Sequence, residues 1–209
     1  MEHAFEENKK KSFTDLMRVM FKGILEPIAR FLNRIGLKPN TVTISGLAGH
    51  AAAAYLIARG YVSWGGLLIL LMAPVDALDG TMARLLGEPS AFGSFVDSVT
   101  DRYSELVLFG GLLLYFLQQQ NWWGCGLVYL AAAGSILVSY TRAKAEGLGF
   151  DCKVGILTRV ERYFVLVPAL IFNIPMVGVG VIGLLANLTA LQRILYVRKQ
   201  AHGLMRKDS

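Results

Sequence analysis

Four aspartates in two closely spaced pairs are the residues of this sequence whose types and spacing could do chemistry. Asp76 and Asp79 are three residues apart near the end of one apolar stretch, and Asp97 and Asp101 are four apart at the start of the next. Spacings of three and four place each pair on one helical face. Because the connection between the stretches is short, we expect antiparallel neighbouring helices whose pairs face one another.

A cluster of four carboxylates in an apolar setting needs compensating positive charge. Each one costs ~2.5–3.5 kcal/mol at the centre of a membrane helix, and mutual repulsion adds to this. Arg84 and Arg102 supply only two positive charges nearby, which leaves protonation or bound divalent cations. Carboxylate oxygens favour Mg²⁺, Mn²⁺ or Ca²⁺ over zinc or copper. A pair of such ions bridged by carboxylates is typical of phosphoryl transfer.

Small residues and one arginine accompany the aspartates. Gly80 directly follows the first pair, Ala83 lies three residues further on, and Gly93 lies four residues before Asp97. Small side chains at these places indicate either close helix packing or a flat ligand that approaches the backbone. Arg84, one turn beyond Gly80, could hold a phosphate.

The composition indicates a membrane protein. Of 209 residues, 54% are apolar and 17% are charged, and the mean hydropathy is +0.47, whereas a soluble domain is about 25% charged. Disordered, disulfide-stapled and collagen-like chains are excluded. A membrane helix needs ~20 apolar residues, and six stretches approach this length: 41–60, 62–79, 94–118, 123–146, 158–175 and 176–198. The predicted fold is therefore all-α and integral to the membrane, with six transmembrane helices.

The distribution of basic residues predicts the orientation. The net charge is +6, from 21 Lys and Arg against 15 Asp and Glu. If residues 1–40 are cytoplasmic, the six-span path leaves only Arg59 on the far side, so 20 of the 21 basic residues share one face. This is the positive-inside pattern. It places both termini and the aspartates on the cytoplasmic side of the cell membrane, and it explains the basic excess without nucleic acid.

Residues 14–35 predict an amphipathic helix that lies in the cytoplasmic interface of the membrane. Basic residues accompany an apolar stripe at helical spacing, formed by Leu16, Met20, Ile24, Ile28, Phe31 and Ile35. The alternative is an ordinary surface helix that packs on the bundle. The predicted organisation is a cytoplasmic N-terminal region with this helix at 1–38, a six-helix transmembrane domain at 39–199 and a cytoplasmic tail at 200–209.

The aspartates and their neighbours form the pattern D-x2-D-G-x2-A-R-x8-G-x3-D-x3-D, which resembles the signature of the CDP-alcohol phosphatidyltransferases. All eight positions of the signature are present, namely Asp76, Asp79, Gly80, Ala83, Arg84, Gly93, Asp97 and Asp101. The six-span layout and the amphipathic N-terminal helix are also similar, so the resemblance covers most of the chain.

The resemblance implies transfer of a phosphatidyl group from a CDP-linked lipid, such as CDP-diacylglycerol, to the hydroxyl of an acceptor alcohol, with release of CMP. It implies that Asp76, Asp79 and Asp97 ligate two Mg²⁺ ions, for which Mn²⁺ may substitute. Asp101 would complete the shell of the second ion and act as general base. CDP-lipid binding is implied for Asn40, Thr43, Gly80, Ala83, Arg84 and Gly93. Members of the family are typically homodimers that work in phospholipid biosynthesis.

Polar and basic residues outside the signature indicate an acceptor that carries a phosphate. They lie near the cytoplasmic ends of the last three stretches, at Ser139, Arg142, Arg159, Arg162 and Arg193. Arginine suits bidentate phosphate recognition, although plain positive-inside flanking is the alternative reading. Residues 142–149 and 158–162 are similar to the branch that makes phosphatidylinositol phosphate from inositol phosphate. Glycerol 3-phosphate remains the alternative acceptor, and an archaeal ether lipid remains an alternative donor.

One alternative function and two single residues complete the expectations. The alternative from another class of protein is a cation-coupled transporter, because the same acids could form an ion site. His50 is expected to be a hydrogen-bonded residue of the bundle. Glu105, one turn beyond Asp101, is expected to bond a neighbouring helix.

Overall fold

The computed structural model describes residues 13–87 and 90–205, and these ranges contain helices and no strand. The all-α prediction is therefore confirmed. The described helices are α1 (Phe13–Arg34), α2 (Pro39–Ala58), α3 (Val62–Met72), α4 (Val75–Leu85), α5 (Ala91–Gln118), α6 (Trp122–Gly147), α7 (Arg159–Ile171) and α8 (Pro175–Met205).

Four described segments are long and apolar enough to cross a membrane, namely Pro39–Ala58, Val62–Leu85, Trp122–Gly147 and Pro175–Gly203. The other two predicted spans correspond to α5 and α7. Helix α5 has 28 residues but carries four charged side chains among its first 15 residues. Helix α7 has 13 residues, which rise ~20 Å, less than the ~30 Å of hydrocarbon. The structure thus supports a membrane protein, and the count of six spans stays a prediction.

The predicted stretch 62–79 is not one continuous helix, because it is interrupted ahead of the aspartates. Proline lacks the backbone N–H and clashes with the preceding turn. Helix α3 accordingly ends at Met72, and α4 begins at Val75, directly after Pro74. Asp76 therefore lies in the first turn of a separate helix rather than near the end of a long one.

The ends of the helices that carry the site are set by local signals. Pro39 begins α2, where its missing N–H is not needed. The hydroxyl of Ser90 accepts a hydrogen bond from the Gly93 N–H at 2.9 Å and caps α5. Helix α2 is followed, after its C-cap residue Arg59, by Gly60. Gly60 adopts a φ of 87°, a conformation that glycine reaches without strain.

The hydrophobic core is formed by α2, α3, α5, α6, α7 and α8. Its fully buried members include Ile57, Leu112, Leu170 and Ile182. Helix α6 packs along α8, and α2 packs along α5. A smaller cluster joins α1 to α2 and α4, formed by Leu25, Ala29, Val42, Leu78 and Met82. The helices α2, α4, α5 and α7, which hold the site, are thereby fixed against one another by apolar packing.

Helix α1 exposes part of its predicted apolar stripe. Ile28, Phe31 and Ile35 are exposed, while Leu25 and Ala29 pack against α4. Such an exposed stripe agrees with placement in a membrane interface, which stays a prediction. The other members of the stripe are Leu16, Met20 and Ile24, whose side chains are not among those that the structure describes.

A glycine allows the close approach of α2 and α5. A Cβ atom on Gly111 would lie 2.5 Å from the carbonyl oxygen of Ala54 and 2.8 Å from its Cα atom. The neighbouring Gly110 has no described atom within 4 Å of such a Cβ position. Close backbone packing of this kind is typical of small residues in membrane helices.

The variant Gly111→Ala should be less stable than the parent protein, because the added methyl group meets the backbone of α2, which cannot yield easily. Overpacking of this kind costs about 1–3 kcal/mol. The thermal unfolding midpoint in detergent measures the effect, and Gly110→Ala is the matched control that should lose no stability. Equal midpoints for the two variants would contradict the close approach.

Candidate active site

Helix α4 contributes Asp76 and Asp79, which lie against α2. The Thr43 hydroxyl donates to Asp79 Oδ2 at 2.5 Å, and the Gly80 N–H donates to Asp79 Oδ1 at 2.5 Å. A Cβ atom on Gly46 would lie 2.7 Å from Asp76 Oδ1. The missing side chain at position 46 thus leaves room for the Asp76 carboxylate, and the two donors hold Asp79 in one orientation.

Helix α5 brings Asp97 and Asp101 to the same region. Asp97 interacts electrostatically with Asp76 and with Asp79, and Asp101 interacts with Asp76 and Asp97. All of these interactions are repulsive, since each partner is a carboxylate. Arg102 Nη1 lies 3.7 Å from Asp101 Oδ2 and offsets part of the charge.

Arg159, in the first turn of α7, joins the two aspartate pairs. Its Nη2 donates to Asp76 Oδ2 at 3.1 Å, and its Nη1 lies 2.5 Å from Asp101 Oδ2. Because one guanidinium contacts a carboxylate from each pair, the pairs face one another, as the spacing predicts. The Arg159 Nε is buried and has no hydrogen-bond partner among the described residues. Arg159, predicted to bind the acceptor, therefore lies among the aspartates.

The chemistry of the cluster suits a divalent cation. Four carboxylates face two guanidinium groups, those of Arg102 and Arg159, so two negative charges are left over. All candidate ligands are hard oxygen atoms. However, no three Asp, Glu, His or Cys side chains in the described ranges are arranged so that they could hold one ion. The guanidinium of Arg159 occupies the space between Asp76 and Asp101 instead.

The residues implied for CDP-lipid binding lie around the aspartates. A Cβ atom on Gly93 would lie 3.9 Å from Asn40 Oδ1, so the starts of α2 and α5 meet beside the site. Gly80, Ala83 and Arg84 follow along α4, and Arg84 Nη1 lies 3.5 Å from the Cβ position of Gly80. Their contact with a nucleotide stays a prediction.

Arg162, also predicted to bind the acceptor, forms an ion pair with Glu105 instead. Its Nε and Nη2 donate to the two carboxylate oxygens of Glu105 at 2.6 and 3.0 Å, and its Nη1 donates to the Leu157 carbonyl at 3.4 Å. Both side chains are buried, with Arg162 2% exposed. The expectation that Glu105 bonds a neighbouring helix is confirmed, and the bidentate pair ties α5 to α7.

The remaining members of the predicted acceptor set lie between α6 and α8. Arg193 is buried and donates to the carbonyls of Val154, at 2.8 Å, and of Val138. Arg142 is exposed and donates to Glu146 at 2.8 Å. Ser139 is half-buried on α6. Arg193 interacts electrostatically with Arg142 and Arg162, so the basic groups converge, but within the described residues Arg159 is the member that contacts the aspartates.

Two further residues support Asp76 and Arg159 from the side of α2 and α7. His50 Nδ1 lies 2.8 Å from the Gly46 carbonyl, and its Nε2 lies 3.3 Å from the Tyr163 hydroxyl and 3.9 Å from Asp76 Oδ2. The expectation of a hydrogen-bonded His50 is confirmed. The guanidinium of Arg159 lies 5.5 Å from the centre of the Tyr163 ring, a favourable cation–π distance.

Sequence reasoning missed Gly46 and Tyr163. The signals were present, since Gly46 lies four residues before His50 on α2 and Tyr163 lies four residues after Arg159 on α7. A spacing of four places each pair on one helical face.

The fold and the site define a helical membrane protein with a carboxylate cluster suited to divalent cations and phosphate chemistry. Residues 37–196 match the family model described as CDP-alcohol phosphatidyltransferase. The chain belongs to this family and is a transferase, a membership that is inconsistent with the transporter alternative.

The chain is also similar to named relatives over nearly its whole length. A phosphatidylinositol phosphate synthase of Streptomyces avermitilis is 34% identical over 200 residues, which cover 88% of this chain and 82% of the relative. An archaetidylinositol phosphate synthase of Pyrococcus horikoshii is 34% identical over 185 residues, which cover 88% of this chain and 96% of the relative.

Crystal structures of the Mycobacterium tuberculosis phosphatidylinositol phosphate synthase share the fold, at 29% sequence identity. The structure with CDP-DAG bound superposes with a TM-score of 0.77 and covers 83% of this chain and 93% of that chain. The structure in complex with manganese and citrate has a TM-score of 0.78 and covers 83% and 88%.

The variant Thr43→Val should lower the transferase rate, because the buried Asp79 carboxylate loses a hydroxyl donor while the volume of the side chain is kept. A hydrogen bond to a charged group contributes about 1.5–3 kcal/mol, which corresponds to a loss of about 10- to 100-fold. Thr43→Ser keeps the hydroxyl and should retain most of the rate. A fully active valine variant would show that Asp79 does not need this donor.

Proposed function

We propose that this transferase moves the phosphatidyl group of CDP-diacylglycerol to a hydroxyl of inositol phosphate and releases CMP. The observation that carries the proposal is the aspartate cluster, in which two pairs from α4 and α5 face one another around a guanidinium from α7. This arrangement suits a diphosphate donor and an acceptor that brings a phosphate of its own. Relatives named phosphatidylinositol phosphate synthase and archaetidylinositol phosphate synthase support the acceptor.

The proposed cofactor is a pair of Mg²⁺ ions, replaceable by Mn²⁺, held by Asp76, Asp79 and Asp97, with Asp101 completing the ligands of the second ion. When bound, such ions supply positive charge that neutralises a diphosphate and stabilises a leaving phosphate. The oxygen ligands and the two uncompensated negative charges support this assignment. Manganese in the related Mycobacterium tuberculosis structure supports a divalent metal.

In the proposed reaction, Asp101 takes the proton of the acceptor hydroxyl. The acceptor oxygen forms a bond to the phosphorus that carries the lipid, and the bond from this phosphorus to the phosphate of CMP breaks. Arg84 binds the diphosphate. Asn40 and Thr43 approach the nucleotide from α2, and the small residues Gly80, Ala83 and Gly93 leave room for the cytidine. The position of Asn40 Oδ1, 3.9 Å from where a Cβ atom of Gly93 would lie, supports this placement.

The phosphate of the acceptor is proposed to bind Arg159 and Arg142 together with Ser139. Arg162 and Arg193 contribute indirectly, since their donors are used by Glu105 and by backbone carbonyls. Glycerol 3-phosphate would use the same phosphate contacts and is the alternative acceptor. An archaeal CDP-linked ether lipid is the alternative donor, because both lipids share the CDP group.

The proposed setting is a multi-pass homodimer in the cell membrane, with six spans and the site on the cytoplasmic side. Four segments that meet the requirements of a span, the one-sided basic residues and the exposed stripe of α1 support this placement. Region 1–38 would then lie at the cytoplasmic interface, 39–199 would form the transmembrane domain, and 200–209 would be a cytoplasmic tail.

The test is a panel of acceptors assayed with CDP-diacylglycerol and the detergent-solubilised protein, with CMP release as the readout. Inositol phosphate should release CMP at least about tenfold faster than inositol or serine, which lack a phosphate for arginine. A chelator of divalent cations should abolish release. A preference for glycerol 3-phosphate would assign the alternative acceptor, and no CMP release with any acceptor would overturn the proposal.

The variant Asp101→Asn should bind CDP-diacylglycerol nearly as well as the parent protein but lose turnover by about 10²- to 10⁴-fold, the usual contribution of a general base. The amide cannot accept the proton of the acceptor hydroxyl. CDP-lipid affinity and the rate of CMP release are measured on the same preparation. Parallel loss of binding and turnover would instead assign Asp101 mainly to the cations.

A further inference from the structure

Arg159 holds the oxygens that a divalent cation would need. Its guanidinium contacts Asp76 Oδ2 at 3.1 Å and Asp101 Oδ2 at 2.5 Å, and so shares its single positive charge between one carboxylate from each pair. A cation that uses the same two oxygens has to compete with the guanidinium for their lone pairs. Two positive groups at one place also repel each other strongly in a medium of low polarity.

We propose that Arg159 is an exchangeable counter-ion, which pairs with Asp76 and Asp101 when no divalent cation is bound and leaves their oxygens when a cation binds. The inference rests on the proposed function, because it assumes that these aspartates bind the cations. It adds a role for Arg159 that precedes any contact with the acceptor.

The surroundings of Arg159 allow this exchange. Its side chain is 28% exposed, whereas that of Arg162 is 3% exposed, so Arg159 is less enclosed by the bundle. Its Nε has no hydrogen-bond partner among the described residues, so the guanidinium is only partly satisfied by the aspartates. The ring of Tyr163 lies 5.5 Å away and can stabilise the cation after it has left the carboxylates.

Arg162, three residues further along α7, is held in the opposite way. It forms the bidentate pair with Glu105, donates to the Leu157 carbonyl and has a side chain that is only 3% exposed. Removing either partner would leave a buried charge without compensation. This pair is therefore permanent, whereas the contacts of Arg159 can open.

Glu105 and Arg162 are positioning residues for Arg159. Glu105 lies four residues after Asp101 on α5, and Arg162 lies three residues after Arg159 on α7, so two ion pairs run side by side between the helices. The buried pair sets the rotation of α7 relative to α5, and this rotation directs Arg159 at Asp101.

The exchange predicts the order in which ligands bind. While Arg159 holds the Asp101 oxygen, this carboxylate is poorly placed to accept a proton, and the positive charge of the guanidinium is already shared by two carboxylates. Cation binding therefore makes both groups available, so the phosphorylated acceptor should bind after the cations.

The first experiment measures Mn²⁺ affinity of the full chain in detergent by calorimetry, with and without CDP-diacylglycerol. Arg159→Gln should bind Mn²⁺ about tenfold more tightly than the parent protein, within the usual range of coupling between two ligands, because no ion pair has to open. The control Arg198→Gln removes the same charge from an exposed position near the end of α8 and should change the affinity by less than about twofold. Equal or weaker Mn²⁺ binding by Arg159→Gln would overturn the inference.

The second experiment separates exchange from simple repulsion between Arg159 and the cation. Modification of individual arginines by phenylglyoxal, followed by mass spectrometry, reports whether a guanidinium is paired. Arg159 should react at least about fivefold faster in Mn²⁺ than in chelator, since release from both aspartates frees its donors. Arg162 should stay unreactive in both conditions, and Arg198 should react in both. An unchanged reactivity of Arg159 would overturn the exchange even if its removal tightens Mn²⁺ binding.

The positioning role is tested with the double variant Glu105→Gln and Arg162→Gln, which removes both buried charges together and so avoids an unpaired one. It should tighten Mn²⁺ binding less than Arg159→Gln does, and it should add nothing when combined with Arg159→Gln, since both changes act through one residue. Additive effects would overturn the positioning role. If the double variant does not fold, Glu105→Asp keeps the charge, and faster modification of Arg159 in chelator then serves as the readout.

The outcomes distinguish this inference from the function on which it rests. Absence of saturable Mn²⁺ binding by the parent protein, with and without CDP-diacylglycerol, would overturn both. Saturable binding by the parent protein that Arg159→Gln leaves unchanged would overturn only the exchange.

Discussion

The concentration of four carboxylates in an apolar helical bundle is the constraint on which the rest of this structure depends. Such groups are costly away from water unless hydrogen bonds and positive charges offset them. The protein uses both devices. Thr43 and Gly80 donate to Asp79, and Arg159 pairs with Asp76 and with Asp101. The charge that remains, carried by hard oxygen atoms, suits divalent cations.

The apolar part of the bundle serves this polar cluster by setting distances between helices. Gly111 brings the backbones of α2 and α5 together, and Gly46 leaves room for the Asp76 carboxylate beside α2. The helix with the first aspartate pair begins at Val75, directly after Pro74. Small residues therefore shape the place where the carboxylates meet, although none of them carries charge.

Much of this arrangement follows from local spacing, and the rest does not. Residues three and four apart share a helical face, which is why the facing of the aspartate pairs could be predicted. The roles of Arg159 and Arg162 could not, because they depend on how α7 is rotated against α5, and no feature of α7 alone determines this rotation. The interruption at Pro74 was visible in the sequence, but a hydropathy scan averages over single residues and passes across it.

Arg159 and Arg162 show that the environment, rather than the type of residue, decides what an arginine does. They lie on one helix, three residues apart, and each pairs with an acid of α5. Arg162 has its partner sealed inside the bundle, where a charge left alone would be strongly destabilising, so it acts as a fixed link. Arg159 has a side chain that is 28% exposed and shares its charge between Asp76 and Asp101. The same chemical group thus secures the helices at one position and remains available to respond to ligands at the other.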